Sequence, residues 1–194
     1  MEEDKLMDES QKTIVIGGSA GSLSMVLRIV PLLRKNMNVS VLIVMHRMPS
    51  AEDNVLQEVL ESRTSFEVRE VEDKDLLKPG TIYVAPPDYH VLVEKDRTLT
   101  LDYSEKVNFS RPSIDVTFES AAEVCGTSLV CVLLSGANAD GVTGLVKVKE
   151  KGGRVVIQDP ASADFAFMPQ KALEQVTADL LITENNVEMI TGFL

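Results

Sequence analysis

The sequence is short of several residue types, and each shortage excludes a class of protein. Its 194 residues include two cysteines, Cys125 and Cys131, with no histidine nearby in the chain, so we expect neither a disulfide framework nor a zinc site. Basic residues number 19 against 30 acidic ones, which makes the formal net charge −11. Because nucleic acids and anionic membranes attract basic surfaces, neither is an expected partner.

Long apolar runs and targeting signals are also missing. No apolar stretch approaches the roughly 20 residues that a membrane-spanning helix needs. The first ten residues, MEEDKLMDES, are acidic and polar and do not resemble a secretory signal peptide. We therefore expect a cytoplasmic protein with a disordered tail at 1–12 and a single domain at 13–194. Hydrophobic residues make up 44% of the chain, which is enough for a packed core.

Strand-like and helix-like segments alternate along the chain. The runs at 39–45 and 129–134 are almost continuously apolar, as strands buried on both faces of a parallel sheet are. The pattern predicts an α/β fold with an open, mostly parallel, doubly wound sheet, helices on both faces and an antiparallel hairpin at 90–93 and 98–101. The predicted strands are 13–17, 39–45, 66–71, 81–85, 128–134, 153–157 and 180–182. The predicted helices are 21–35, 51–63, 113–125, 141–151 and 169–176.

Some helix ends carry recognisable residues. Pro31 is expected to end or kink the first helix, because proline lacks the N–H that the helix ladder needs. Ser50 is expected to cap the second helix at its N-terminus. Gly126 directly follows the helix predicted at 113–125, the usual place for a stop residue.

A serine follows the first predicted strand, in the sequence GGSAG at residues 17–21. In a strand-to-helix turn of the type Gly-x-Ser-x-Gly the hydroxyl is exposed, and nearby N–H groups can face the atom it attacks. A nucleophilic Ser19 indicates a hydrolase, and the alternatives are a structural turn or a phosphate-binding loop. A dinucleotide-binding loop is the weaker alternative, because it needs a glycine in place of Ser19 and an acidic residue where His46 stands.

Histidine is scarce enough to narrow the choice of a catalytic base. His46 and His90 are the two histidines of the chain, and His46 directly follows the strand predicted at 39–45. Ligands of open parallel sheets bind outside the carboxyl ends of the strands, so His46 is the favoured base for Ser19. In ordinary α/β-hydrolases the histidine comes after the acid, but this chain has none after position 90. The expected order is therefore serine, histidine, acid.

The acid that orients the histidine is not settled by spacing. Asp140 and Asp159 both follow predicted buried strands and both qualify. Asp140 precedes Gly141, and this pair is also what a simple turn and helix cap requires.

Six sequence blocks occur in an order that matches a known family. They are IVIGGSAG (14–21), VMHRMP (44–49), GTIYVAP (80–86), RPSIDV (111–116), LLSG with DG (133–136 and 140–141) and FMP (167–169). Over residues 12 to 183 the chain thereby resembles the catalytic domain of the CheB protein-glutamate methylesterases of bacterial chemotaxis. The resemblance implies that Ser19 is the nucleophile, His46 the general base and Asp140 the orienting acid, and that no cofactor or metal takes part.

The resemblance also implies a substrate. The family hydrolyses glutamate methyl esters on chemoreceptor signalling helices, and many members deamidate receptor glutamines. We therefore expect a serine-type ester hydrolase whose partners are methylated chemoreceptors. Substrate-binding roles are expected for Arg47 and Arg111, as local positive charges, and for N–H groups at residues 20–22, including Ala20 and Gly21, facing the oxyanion. The alternative is an inactive relative that binds receptors or another partner.

The chain departs from the family pattern in places. The loop before Asp140 has Gly136-Ala137-Asn138 where Gly-Met-Gly is usual, and Ala20 and Ser22 stand where threonine and glycine are common. Members of the family usually carry a receiver domain ahead of the catalytic domain, and 12 residues are too few for one. We therefore expect either constitutive activity or control by a separate regulatory protein.

Overall fold

The computed structural model describes residues 11–48 and 54–194 of the chain. Its strands are β1 Lys12–Gly18, β2 Val39–Met45, β3 Glu67–Glu70, β4 Thr81–Val84, β5 His90–Val93, β6 Leu99–Asp102, β7 Leu129–Leu133, β8 Arg154–Gln158 and β9 Leu180–Ile182. Its α-helices are α1 Leu23–Ile29, α2 Asn54–Glu61, α3 Ile114–Cys125, α4 Val142–Glu150 and α5 Phe167–Gln175. Strands β5 and β6 pair as an antiparallel hairpin, and the others form one parallel sheet.

The order of strands in the parallel sheet is β3-β4-β2-β1-β7-β8-β9. The strands β2, β4 and β3 lie on one side of β1. The chain then crosses to the other side of β1, where it adds β7, β8 and β9. This reversal creates a switch point between β1 and β7, where the loops at the carboxyl ends of the strands diverge and leave a crevice. Ser19 follows β1 and Asp140 lies in the loop after β7, so the two residues lie beside this switch point.

Helices cover both faces of the sheet. On one face, Val15 of β1 packs in a core with Phe118 of α3 and Leu145 of α4. On the other face, Ile16 of the same strand packs with Val26 of α1. Successive residues of a strand point to opposite faces, so a strand covered on both sides must be apolar throughout, which explains the continuous apolar runs. The predicted α/β fold, with its parallel sheet and separate hairpin, is confirmed.

The ends of several elements differ from the prediction. Helix α1 ends at Ile29, and Pro31 lies in a 3₁₀ turn, Val30–Leu32, so the helix predicted to reach residue 35 stops at the proline as its missing N–H requires. Strand β1 begins at Lys12, the last residue of the predicted tail. Ser50, the predicted cap of the second helix, lies outside the described residues.

The final segment was not predicted. Residues Val187–Phe193 form a 3₁₀ helix that buries Val187 and Ile190 against the α1 side of the sheet. Among the residues that the structure describes, no helix is long and apolar enough to cross a membrane.

Candidate active site

The loop after β1 is held in place from two neighbouring strands. The N–H of Ser19 donates to the carbonyl of Ser135 (2.9 Å), which follows β7, and the N–H of His46 donates to the carbonyl of Gly18 (3.2 Å). The Ser135 hydroxyl donates in addition to the carbonyl of Ala20 (2.8 Å). Because these bonds come from both sides of β1, the position of the Ser19 backbone is defined by the sheet itself.

Glycine is required at the end of the Gly-x-Ser-x-Gly turn. Gly21 has a φ of +75°, and a Cβ built there would lie 2.6 Å from the Cβ of Asp164 and 2.9 Å from the hydroxyl of Ser135. A side chain would therefore meet both backbone strain and a collision. The glycine spacing of the motif thus has a local structural reason, independent of any role of the serine.

Ser19, His46 and Asp140 form one continuous hydrogen-bonded chain. The Nδ1 atom of His46 lies 3.2 Å from the Ser19 hydroxyl, and its Nε2 atom lies 2.7 Å from Oδ2 of Asp140. Because the ionised carboxylate accepts only, Nε2 carries the ring proton and Nδ1 is left to accept from the serine. The ring nitrogens thereby exchange the roles that they have in the chymotrypsin-type triad. The His46 side chain is 12% exposed and that of Asp140 is fully buried.

The Asp140 carboxylate lies at the N-terminus of α3. It accepts the backbone N–H of Ile114 at 2.6 Å and that of Asp115 at 3.1 Å, and Oδ1 also accepts the hydroxyl of Ser113 at 2.8 Å. Ser113 is the N-cap of the helix, where orphan N–H groups and the helix dipole favour negative charge. Burial by itself raises the pKa of Asp140, but the hydrogen bonds that it accepts outweigh burial and hold the pKa below its ordinary value.

A second buried carboxylate lies beside the first. Nδ2 of Asn108 donates both to Oδ1 of Asp140 (3.0 Å) and to Oδ2 of Asp115 (2.8 Å), and so bridges them. The other oxygen of Asp115 accepts the N–H of Gly144 at 2.7 Å. Burial is the largest effect on the pKa of Asp115 and raises it. The bond from Gly144 lowers this pKa and the neighbouring charge of Asp140 raises it, so that the pKa comes to about 6.

A cleft of about 400 Å³ opens beside the imidazole. It is lined by residues of two loops, His46, Arg47, Met48, Lys106, Phe109, Ser110 and Arg111. The hydroxyl of Ser110 lies 3.4 Å from Nδ1 of His46, close to the Ser19 side of the ring. The cleft therefore gives a substrate direct access to the candidate base.

The chain is similar to several known proteins. The sequence profile described as CheB methylesterase matches residues 14–189. A putative protein-glutamate methylesterase/protein-glutamine glutaminase of Leptospira interrogans is 44% identical over 172 residues, which are 89% of each chain. The Thermotoga maritima protein-glutamate methylesterase/protein-glutamine glutaminase is 35% identical over 176 residues, which are 89% of this chain and 51% of that protein. The crystal structure of the Thermotoga maritima CheB methylesterase catalytic domain has a TM-score of 0.86 at 33% identity, over 93% of this chain and 97% of that one.

The chain belongs to the CheB methylesterase family. The family predicted from the sequence is confirmed, and so is the prediction that the protein is a hydrolase of the methylesterase type. The catalytic roles of individual residues are a separate matter, and they rest on the geometry above.

His90, the other candidate base, has a structural position in this CheB-type fold. It is almost fully buried, its Nε2 donates to the carbonyl of Glu105 (2.9 Å), and its Nδ1 accepts the N–H of Ser113 (3.1 Å). Both ring nitrogens are therefore used in holding the start of α3. The other candidate acid, Asp159, caps a 3₁₀ turn by accepting the N–H of Ala161 (2.9 Å).

The two arginines predicted to bind substrate line the cleft, but each is engaged within the protein. Arg47 donates to Glu70 (2.6 Å) and to the carbonyl of Ala85 (3.1 Å). Arg111 donates to Asp88 (2.7 Å), and its guanidinium lies 3.8 Å from the centre of the Tyr103 ring. Substrate binding by either arginine stays a prediction.

The set of N–H groups predicted to face the oxyanion can be reduced, because one of them is already bonded within the turn. The N–H of Ser22 donates to the carbonyl of Ser19 (3.1 Å), and the Ser22 hydroxyl donates to the same atom (2.7 Å). Within the described part of the chain, the N–H groups of Ala20 and Gly21 donate to no protein acceptor. These two N–H groups are therefore the remaining candidates for binding the oxyanion.

Three polar residues of the site were missed by the sequence analysis. Asn108 and Ser110 lie in a loop without periodic pattern, and Ser113 was placed inside a helix rather than at its cap. Only Ser113 carried a usable signal, since a serine before an apolar helix pattern is a typical N-cap. Within residues 11–48 and 54–194, no group of three or more histidine, cysteine, aspartate or glutamate side chains is placed to hold a metal ion.

Proposed function

We propose that the chain hydrolyses glutamate methyl esters on chemoreceptor proteins in the cytoplasm, with Ser19 as the nucleophile. The observation that carries the proposal is the unbroken hydrogen-bonded chain from Ser19 through His46 to the buried Asp140, in a member of the CheB methylesterase family. Relatives in that family are named protein-glutamate methylesterases, and this supports the choice of ester.

The His46 ring acts first as a base and then as an acid. Its Nδ1 atom takes the proton of the Ser19 hydroxyl, 3.2 Å away, as the serine oxygen attacks the ester carbonyl. The tetrahedral intermediate then collapses, the bond to the methoxy oxygen breaks, and His46 returns the proton so that methanol leaves. Water, activated by the same nitrogen, attacks the acyl-enzyme and releases a glutamate side chain and the original serine.

Asp140 keeps the histidine in the form that this cycle needs. Its carboxylate holds the proton of His46 on Nε2, which leaves Nδ1 unprotonated and directed at the serine. When the ring becomes an imidazolium, the negative charge 2.7 Å away stabilises it. The position of Asp140 at the N-terminus of α3 keeps that carboxylate ionised.

The oxyanion of the tetrahedral intermediate needs donors that the ground state does not use. The N–H groups of Ala20 and Gly21 meet that condition and follow the nucleophile directly. A backbone donor of this kind is fixed by the sheet before substrate binds, so no reorganisation is required during the reaction.

Deamidation of receptor glutamines is a second activity of the same site. Relatives carry protein-glutamine glutaminase in their names, and an amide forms the same acyl-enzyme with ammonia as the leaving group. Because ammonia is a poorer leaving group than methanol, protonation by His46 becomes more important for the amide than for the ester.

The test is release of methanol from a methyl-labelled chemoreceptor fragment. Ser19→Ala should reduce the release to background while the melting temperature stays close to that of the wild type. Ser24→Ala, which changes an exposed serine on the next helix, is the matched control and should keep full activity. Substantial activity in the Ser19→Ala protein would refute the assignment.

A serine-directed fluorophosphonate separates the enzyme from a non-catalytic binding module. The probe should label Ser19 in the wild type, and labelling should be lost in Asp140→Asn because that change removes the charge that orients His46. A module that only binds receptors leaves the wild-type serine unlabelled.

A further inference from the structure

Residues 107–110 form a tight turn on the edge of the cleft. The N–H and carbonyl groups of Val107 and Ser110 bond each other, at 3.2 and 2.9 Å. The two central residues, Asn108 and Phe109, have φ values of +51° and +63°. Positive φ at both central positions defines a type I′ turn, for which asparagine followed by glycine is the preferred pair. Asn108 fits this rule, and Phe109 stands where glycine is expected.

Nothing within the described fold favours a bulky side chain at position 109. Phe109 is 96% exposed, so its ring adds nothing to either core. A left-handed backbone is unfavourable for a residue with a large side chain, and such strain is retained mainly at functional sites. Its neighbour Asn108 points inward to Asp140 and Asp115, which leaves Phe109 directed outward.

The exposed ring lies in the same cleft as the candidate base. Phe109 and Met48, which is 85% exposed, line that cleft together with His46. Lys106 lines it as well and adds a positive charge. Apolar side chains beside a cationic group match a segment that alternates apolar residues with glutamates.

We propose that Phe109 is a specificity-determining residue, which packs against an apolar side chain of the polypeptide segment that carries the methylated glutamate. The proposal rests on the proposed function. The occupant is the substrate segment rather than a second copy of the chain, because the cleft wall includes His46 and a permanently bound copy would close the site.

Phe109→Gly tests this through two quantities that move in opposite directions. Glycine suits a φ of +63°, so the variant should unfold at a higher urea concentration than the wild type. The substrates are a methylated chemoreceptor cytoplasmic fragment and a small N-acylated glutamate methyl ester amide. The ratio of kcat/KM for the fragment to that for the small ester should fall about tenfold, mainly through KM of the fragment.

Two further variants separate contact from strain. Phe109→Leu keeps an apolar side chain and should retain most of the wild-type ratio. Lys74→Gly relieves the same kind of backbone strain, since Lys74 has a φ of +70°. Lys74 lies away from the cleft, in a different depression that Lys95 and Asp96 also line, so this variant is the control for strain alone. It should raise stability and keep the wild-type ratio.

The outcomes are distinguishable. If the wild type releases methanol from the fragment and Phe109→Gly keeps the wild-type ratio, the role of Phe109 is refuted and the proposed function stands. Lower stability of Phe109→Gly would refute the argument from strain. If the wild type hydrolyses neither substrate, the proposed function fails and the role of Phe109 fails with it.

Discussion

Replacement of Asn108 by glycine should slow catalysis although neither hydrogen bond of its amide goes to the serine or to the histidine. Its single amide group donates to Asp140 at 3.0 Å and to Asp115 at 2.8 Å. Both carboxylates are at least 95% buried while the exposed Asn108 side chain is in place, so its removal takes one charge-assisted hydrogen bond from each of them. Glycine is the suitable replacement because it accepts the φ of +51° and removes only the side chain.

The size of the effect follows from the bonds that remain. A hydrogen bond to a charged group contributes about 1.5–3 kcal/mol. Asp140 keeps its bonds to His46, to Ser113 and to the backbone of α3, so it should remain ionised but less firmly held. If the lost bond appears wholly in the transition state, kcat falls about 10- to 100-fold.

A pH profile of methanol release between about pH 5 and 9 shows whether the loss acts through the triad. The hydrogen bond from Asn108 is one of those that hold the pKa of Asp140 below its ordinary value, so its loss should raise that pKa and move the acid limb of the profile to higher pH. The negative charge of Glu119 also acts on Asp115. Asn108→Asp should be slower still, because it places a third carboxylate against two others.

Asn186→Ala is the matched control for a merely structural loss. Asn186 accepts the N–H of Thr183 (2.6 Å) and donates to the carbonyl of Leu181 (3.0 Å), beyond the outermost strand of the sheet. It should lower stability without changing kcat or the pH profile. If Asn108→Gly likewise keeps the wild-type kcat and pH profile, the argument for positioning is wrong.

Three further changes test other parts of the site. The folded-state pKa of Asp115 is raised from 3.8 to about 6, so its contribution to stability is present below about pH 4 and is lost as the pH rises through 6. In urea unfolding, the stability of Asp115→Asn relative to the wild type should therefore increase by about 3 kcal/mol between about pH 4 and 8. A difference that does not change with pH would contradict this. Gly21→Ala should cost about 2 kcal/mol from its positive φ and its collision with Asp164, and an unchanged melting temperature would contradict that. Arg47→Ala should lower stability by about 1–2 kcal/mol, because it removes the bond to the buried carbonyl of Ala85 as well as the ion pair with the partly exposed Glu70, and it should raise KM for the methylated receptor fragment; an unchanged KM would count against a binding role.

Much of the framework could be predicted because it depends on local pattern. Strand β2 begins and ends where its apolar run does, since a strand buried on both faces must be apolar from end to end. In a parallel sheet the carboxyl ends of the strands share one edge, so Ser19 and His46, which follow neighbouring strands, had to lie close together.

The acid of the site shows where local pattern stops being informative. Asp140 and Asp159 both follow strands, and spacing did not separate them. The resemblance to the methylesterases favoured Asp140, and the structure places Asp140 against His46 while Asp159 caps a turn. The difference arises because β7 lies beside β1, whereas β8 lies one strand farther out.

The sequence by itself determined the strands to within about one residue at each end, the scarcity of histidine and the order in which the candidate serine, histidine and acid occur, because these depend on residue type and on neighbours in the chain. Only the tertiary structure decided that His90 holds the start of a helix, that Asn108 bridges two buried carboxylates, and that Phe109 stands exposed in the cleft. These roles depend on contacts between segments that are distant in sequence. No periodic pattern marks such contacts, since they exist only once packing has brought the loops together.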